Sequence, residues 1–177
     1  MLIRWSAAAA AAIMLSSPIL LQKASAADKP TDPQIAHIAY TAGVIDINAA
    51  KQAQKKAKSK NVKAFAEDML RDHEAVNKQA LALVKKLNVT PEDNEASKAL
   101  SRQASDKLAE LDKLDGTAFD KAYVANEVAY HKAVNGALET QLIPSANNAE
   151  LKSLLQTGLK IFRGHQQHAE HVAAELK

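Results

Sequence analysis

The sequence predicts an all-helical protein: a bundle of four long helices with one additional crossover or connecting helix. Three observations carry that expectation. Apolar residues recur every three or four positions through nearly all of the chain after residue 33, the spacing of an amphipathic helix face. The 177 residues include only five Gly and five Pro, too few for a fold rich in tight turns. Helix-opening and helix-closing residues punctuate the pattern at four places. An apolar share of 47% with many alanines excludes a disordered chain. The absence of cysteine excludes disulfides, thiolate metal sites and thiol nucleophiles.

Residues 1–26 are expected to be a signal peptide. Met1 to Arg4 is a short basic start, Ala7 to Leu21 is apolar apart from Ser16, Ser17 and Pro18, and Ala24-Ser25-Ala26 is a small-x-small cleavage site. The apolar run is shorter than the roughly 20 residues of a spanning helix, and no second one follows. The expected location is periplasmic or secreted, with no transmembrane segment after cleavage. Without Arg4 and Lys23 the chain carries 21 basic against 20 acidic groups. The formal charge of +3 and pI near 9.0 therefore do not imply a nucleic-acid partner.

Residues 27–33 read as a polar leader and 34–177 as the bundle domain. Helix 1 is expected over about 34–58, on a stripe of Ile35, Ile38, Ala42, Ile45, Ala49 and Ala53. Helix 2 covers about 61–87, with Val62, Phe65, Met69, His73, Val76, Ala80, Leu83 and Leu87. Thr90-Pro91-Glu92-Asp93 supplies a cap, a first-position proline and first-turn acids. It opens a weaker helix to about Leu114. Asp115-Gly116 stops it, and Thr117-x-x-Asp120 starts helix 3, to about Leu142. Pro144 ends that helix, and Asn147-x-x-Glu150 starts helix 4, about 148–176. The segment 91–114 either crosses back along the bundle, making helices 2 and 3 parallel, or belongs to an antiparallel five-helix array.

The informative residues are polar ones that land on apolar stripes. At about 100° per residue, His165 lies roughly 35° from the centre of its stripe, His168 roughly 95° and His171 roughly 155°. His165 therefore faces inward, His168 flanks and His171 is solvated, while His37 points away from the core. His73 and His131 occupy core positions, Glu127 stands one turn before His131, and Asp46 adjoins the Ile45 stripe. At 1.5 Å per residue, Asp46, His73 and His131 lie about 18–21 Å from the turn near residue 60, and His165 about 12 Å.

Burying such groups unpaired costs roughly 1–3 kcal/mol each, so partners are expected, and two kinds fit. Asp46, His73, His131 and His165, with Glu127 and His168 as further candidates, can bind an ion of Zn, Cu or Fe/Mn. Alternatively they bond to one another in a network completed by Tyr123 or Tyr130, with Asp68 and Asp72 as capping or surface acids. A surface site from His168 and His171 with Glu170 or Glu175 is a lesser option.

Read in order, Asp46, Val62-Lys63-Ala64-Phe65-Ala66, Met69, Asp72-His73, Phe119-Asp120-x-x-Tyr123-Val124, His131 and His165-x-x-His168-Ala169 resemble the bacterial domain-of-unknown-function family 4142, assigned to the ferritin-like superfamily. The resemblance covers about residues 34–176. It implies a periplasmic or envelope ferritin-like bundle of no established activity, and Asp46, Asp72, His73, Asp120, Tyr123, His131 and His165 as its recurrent polar positions. Di-iron ferritins use inward Glu residues and Glu-x-x-His motifs; here Glu127 and His131 are four apart and the carboxylate set is incomplete. No Gly-rich phosphate loop, GxSxG or HExxH occurs. The expected function is a non-enzymatic envelope-associated binding or structural module, with no catalytic residues and an unknown partner. The alternative is a protein with a mononuclear His/carboxylate metal site. Alanine-rich faces on helices 1 and 3 would permit a homodimer.

Overall fold

The computed structural model describes residues 29–176, and every element among them is helical. The expected signal peptide lies outside the described residues. None of the described helices is long and apolar enough to cross a membrane.

Helix α1 spans Asp32–Lys56 and so begins inside the expected polar leader. Pro33 stands in its first turn, and the Gln34 side chain accepts from the Thr31 N–H at 3.1 Å. Helix α2, Lys60–Lys86, follows a three-residue turn and is capped by Ser59. It ends before Asn88, whose left-handed φ of 54° turns the chain.

Helix α3 spans Glu95–Asp112, starting later than Pro91 suggested. The effective cap is Asn94, whose side chain accepts from the Ser97 N–H at 3.1 Å while the Ser97 hydroxyl accepts from the Asn94 N–H at 3.2 Å. Of its residues only Ser97 and Leu111 are buried.

Helix α4, Gly116–Ala137, runs into a widened π turn over Leu138–Leu142 and a last short turn, α5, Ile143–Ser145. Pro144 can neither donate to the carbonyl four residues back nor approach it closely, and the widened turn accommodates it. Helix α6, Ala149–Glu175, is capped by Asn148, which accepts from the N–H groups of Glu150 at 2.9 Å and Leu151 at 3.0 Å.

Hydrogen bonds at the ends give the direction of each helix. Asn94 donates to the Gln34 carbonyl at 3.3 Å and Gln52 to the Leu108 carbonyl at 3.1 Å, so α3 runs parallel to α1. The chain therefore returns along the bundle before α4 begins, so α4 runs parallel to α2. Two buried or partly buried acids clamp the ends. Asp120 accepts from the N–H groups of Lys58 at 3.0 Å and Ser59 at 2.8 Å, while Asp32 accepts from those of Asn147 at 2.8 Å and Asn148 at 2.9 Å. Asp120 thus caps the start of α2 rather than boxing its own helix.

Helix α1 packs on α2 and α4 packs on α6, with α2 against α6 closing the bundle and α3 laid on α1. Buried Ala49, Ala50, Ala53 and Ala57 let α1 and α2 approach closely. The core has two apolar clusters. One gathers Phe65, Met69, Phe119, Tyr123 and Val172; the other gathers Ile35, Leu138, Leu142 and Leu155 toward the opposite end. The polar residues singled out from the sequence lie between them.

Candidate metal centre

Three imidazoles meet in that intermediate layer: His73 from α2, His131 from α4 and His165 from α6. Their ring centroids are 5.2–5.6 Å apart in every pairing, and each offers a ring nitrogen within 4.8 Å of the other two. All three are buried, at 2%, 1% and 6% exposure. The expected two-turn offset of His165 is absent. Asn61 near the start of α2 donates to Glu175 at the end of α6 at 2.7 Å. Counted from that shared level, His73 and His165 each stand roughly three turns along their helices, with a height difference of about 3 Å. The offset disappears because α6 ends level with the first turn of α2, not beyond it.

Two of the rings are held by their outer nitrogens. His165 Nε2 lies 3.0 Å from Asp72 Oδ2, and His131 Nδ1 lies 3.0 Å from the Glu127 carbonyl oxygen. Among the described residues, the remaining nitrogens, His165 Nδ1 and His131 Nε2, have no hydrogen-bond partner, and neither does either nitrogen of His73. A ring oriented by a carboxylate or carbonyl on one side, with a free lone pair on the other, is the arrangement of metal-ligating histidines. Phe162 stacks on His73 at 4.6 Å and 7° and fixes that ring by packing instead.

Asp46 supplies a carboxylate to the same layer from α1. Its Oδ2 is 3.3 Å from His73 Nε2 and 3.8 Å from His131 Nε2. Asp46, Glu127 and His131 form a second group of donors within 4.8 Å of one another. Asp46 Oδ1 and Glu127 Oε2 lack hydrogen-bond partners.

Burial governs the protonation of the whole layer. It pushes His73 down to about 2, reinforced by the adjacent His131 and His165, and His131 to about 4. His165 is also lowered by burial, which the neighbouring Asp72 opposes. Burial would raise Asp72, but hydrogen bonds from Arg71 and His165 outweigh it and the carboxyl is lowered. Asp46 is raised well above its ordinary value by burial and by the charge of Glu127, while burial lifts Glu127 to about 7. At neutral pH the imidazoles are uncharged, with their lone pairs available.

Among the described residues, neither tyrosine completes the polar network expected as the alternative, although its His–carboxylate contacts are present in part. Tyr130 donates to the Ala42 carbonyl at 3.0 Å, and the buried Tyr123 hydroxyl has no partner. His168 stands outside the imidazole group: its ring meets Phe65 edge-on at 5.1 Å, and its Nδ1 lies 3.8 Å from Asp68 Oδ2. His171 is exposed and pairs with Glu175 at 3.2 Å. His168 and His171 thus turn to different acids and make no joint surface site. His37 is half-buried rather than solvated, because α3 begins over it beside Asp93 and Ser97.

Sequence reasoning missed the role of Asp72. Read as a capping or surface acid, it orients His165 across the α2–α6 seam. Its signals were its place beside a stripe histidine and among the polar positions the family resemblance implies, and neither tells which helix packs there.

Fold and site together define a class: an all-helical domain whose apolar core is divided by a buried imidazole–carboxylate layer. A family model described as "Domain of unknown function (DUF4142)" matches residues 19–172, and the chain belongs to that family. No curated protein and no solved structure matches it.

Proposed function

We propose that this chain is a metal-binding, non-enzymatic domain of the bacterial cell envelope, with a ferritin-like helix arrangement and one first-row transition ion held by His73, His131 and His165, Asp46 completing the set. The observation that carries the reading is the convergence of three buried imidazoles whose inward nitrogens have no protein partner. An unsatisfied buried polar group costs roughly 1–3 kcal/mol, and an ion satisfies one nitrogen of each ring at once. Three nitrogens and one oxygen suit Zn²⁺ or Cu²⁺ best, with Fe or Mn behind them. A tetrahedral ion with arms of about 2.0–2.1 Å brings its donors to about 3.3 Å from one another, so binding draws the rings inward. Export rests on the signal-like character of residues 1–26, and the ferritin-like arrangement on the return of the chain through α3.

The test is elemental analysis of untagged protein taken from the periplasm, followed by thermal melts with and without chelator. We expect about one ion per chain. Saturation at 100 times Kd adds about 2.7 kcal/mol, which raises Tm by roughly 5–10 °C for a domain of this size. Sub-stoichiometric metal together with an unchanged melt would falsify the reading.

A further inference from the structure

Beside the imidazole layer, toward the end of the bundle where α1 begins, the helices line a partly open cavity of about 520 Å³. That is the size of a small-molecule site. Ala42 of α1, Ala80 of α2, Leu100 of α3, Ala133 of α4, and Leu155 and Phe162 of α6 are among its walls. It exists because α3 packs chiefly on α1 and little on α4, and because small alanines face one another across the gap. Leu83, Leu100, Val134 and Phe162, which fringe the second apolar cluster and line the cavity, are accordingly only partly buried. An apolar space of this size takes up apolar molecules.

The polar groups on its walls indicate what kind. Asn77, Asn126 and Tyr130 are engaged, with the Tyr40 carbonyl at 3.5 Å, Glu127 at 3.4 Å and the Ala42 carbonyl at 3.0 Å respectively. Gln103 and Lys107, both exposed on α3, remain at the rim. Among the described residues, Lys107 is the one charged group lining the cavity, and no acid lines it. Its pairing with Glu110 is a surface contact with side chains 46% and 62% exposed, which an incoming anion displaces at little cost.

We propose that the cavity binds a single-chain anionic amphiphile of the fatty-acid class, with the apolar tail among the alanines and leucines and the carboxylate at Lys107. This goes beyond the metal reading and does not depend on it.

Calorimetric titration of the purified protein with saturated fatty acids below their micelle concentrations, in the presence of chelator, tests the proposal. One dodecanoate should bind per chain, with affinity rising about fourfold per methylene from octanoate to dodecanoate. Dodecanol should bind about fivefold more weakly. Ala42→Leu and Ala80→Leu, which fill the space, should abolish binding with a cooperative melt retained. Lys107→Glu, a surface change that leaves the walls intact even if the filled variants fail to fold, should weaken dodecanoate about fivefold and leave dodecanol unchanged. Absence of saturable binding, binding that survives in folded filled variants, or indifference to Lys107 overturns the proposal. So does a dimer, seen by sedimentation, whose formation excludes dodecanoate.

Discussion

His73 is the most exposing test of the site. It is buried at 2% and neither ring nitrogen makes a hydrogen bond among the described residues, Nε2 standing 3.3 Å from Asp46 Oδ2 without the alignment of one, so in the metal-free protein it contributes an unsatisfied polar group. Replacing such a group by an apolar one of similar size is close to neutral or stabilising. His73→Leu is therefore expected to leave the chelated protein at least as stable as the parent while removing the rise in Tm on metal addition. Denaturant melts with and without ion check both halves, and a loss of about 2 kcal/mol or more without metal would show that the ring has a protein partner after all. Protonation makes a second test. Burial holds His73 at about 2 and His131 at about 4, below the ordinary 6.5 of an unfolded chain, so their contribution is complete above about 6.5 and is lost as pH falls. Glu127, raised from 4.5 to about 7, contributes fully below about 4.5 and loses that contribution as pH rises through about 7. Asp46, raised with it, acts in the same direction. The three lowered imidazoles still outnumber the two raised carboxyls, so the denaturant midpoint of the metal-free protein should peak at about pH 6.5. Glu127→Gln should flatten the alkaline side. A midpoint that climbs steadily from pH 8 to pH 5 would contradict this assignment.

Among the helices, the α1–α2 contact is the tightest. A Cβ on Gly43 would lie 2.2 Å from Asn77 Oδ1, and Asn77 is itself buried. Gly43→Ala should cost about 1–3 kcal/mol, the range for overpacking. Gly164 lies within α6 and has open space where a methyl group would stand. It should behave oppositely, gaining up to about 1 kcal/mol as Ala through helix propensity. Equal effects in chemical denaturation would mean that the two helices do not approach as described. The clamps at the helix ends follow the same physics. Asp32 and Asp120 each satisfy two N–H groups that the turn before another helix leaves unpaired. Neither role is visible in local sequence, since Asp120 lies 61 residues from Ser59, the nearer of its two partners in the chain.

Across the whole molecule, stability is unevenly distributed. The four long helices share two apolar clusters and the polar layer between them, whereas α3 buries only Ser97 and Leu111. Hydrogen exchange should therefore run fastest among the helices in α3. Metal should slow exchange in the middles of α2, α4 and α6, which carry the three imidazoles, and leave α3 nearly unchanged. Protection of α3 equal to that of α2 would sink this ordering.

Much of this is legible in the sequence. The 3/4 spacing of apolar residues marks each long helix to within a few residues, because a helix buries one face and that face has a fixed period. The same period sets His73, His131 and His165 inward, and His171 outward. Helix starts are less legible: Thr90 and Thr117 offer plausible caps, yet Asn94 and Asp115 hold those positions, since competing caps differ by only about 1 kcal/mol and packing decides among them. Period alone establishes that a residue faces inward, and not what it meets there. The shared level of His73 and His165, the turn of Asp72 toward α6, the capture of α2 by Asp120 and the cavity under α3 all depend on how far one helix slides along another. Contacts between residues distant in the chain determine that, and only the folded bundle contains them.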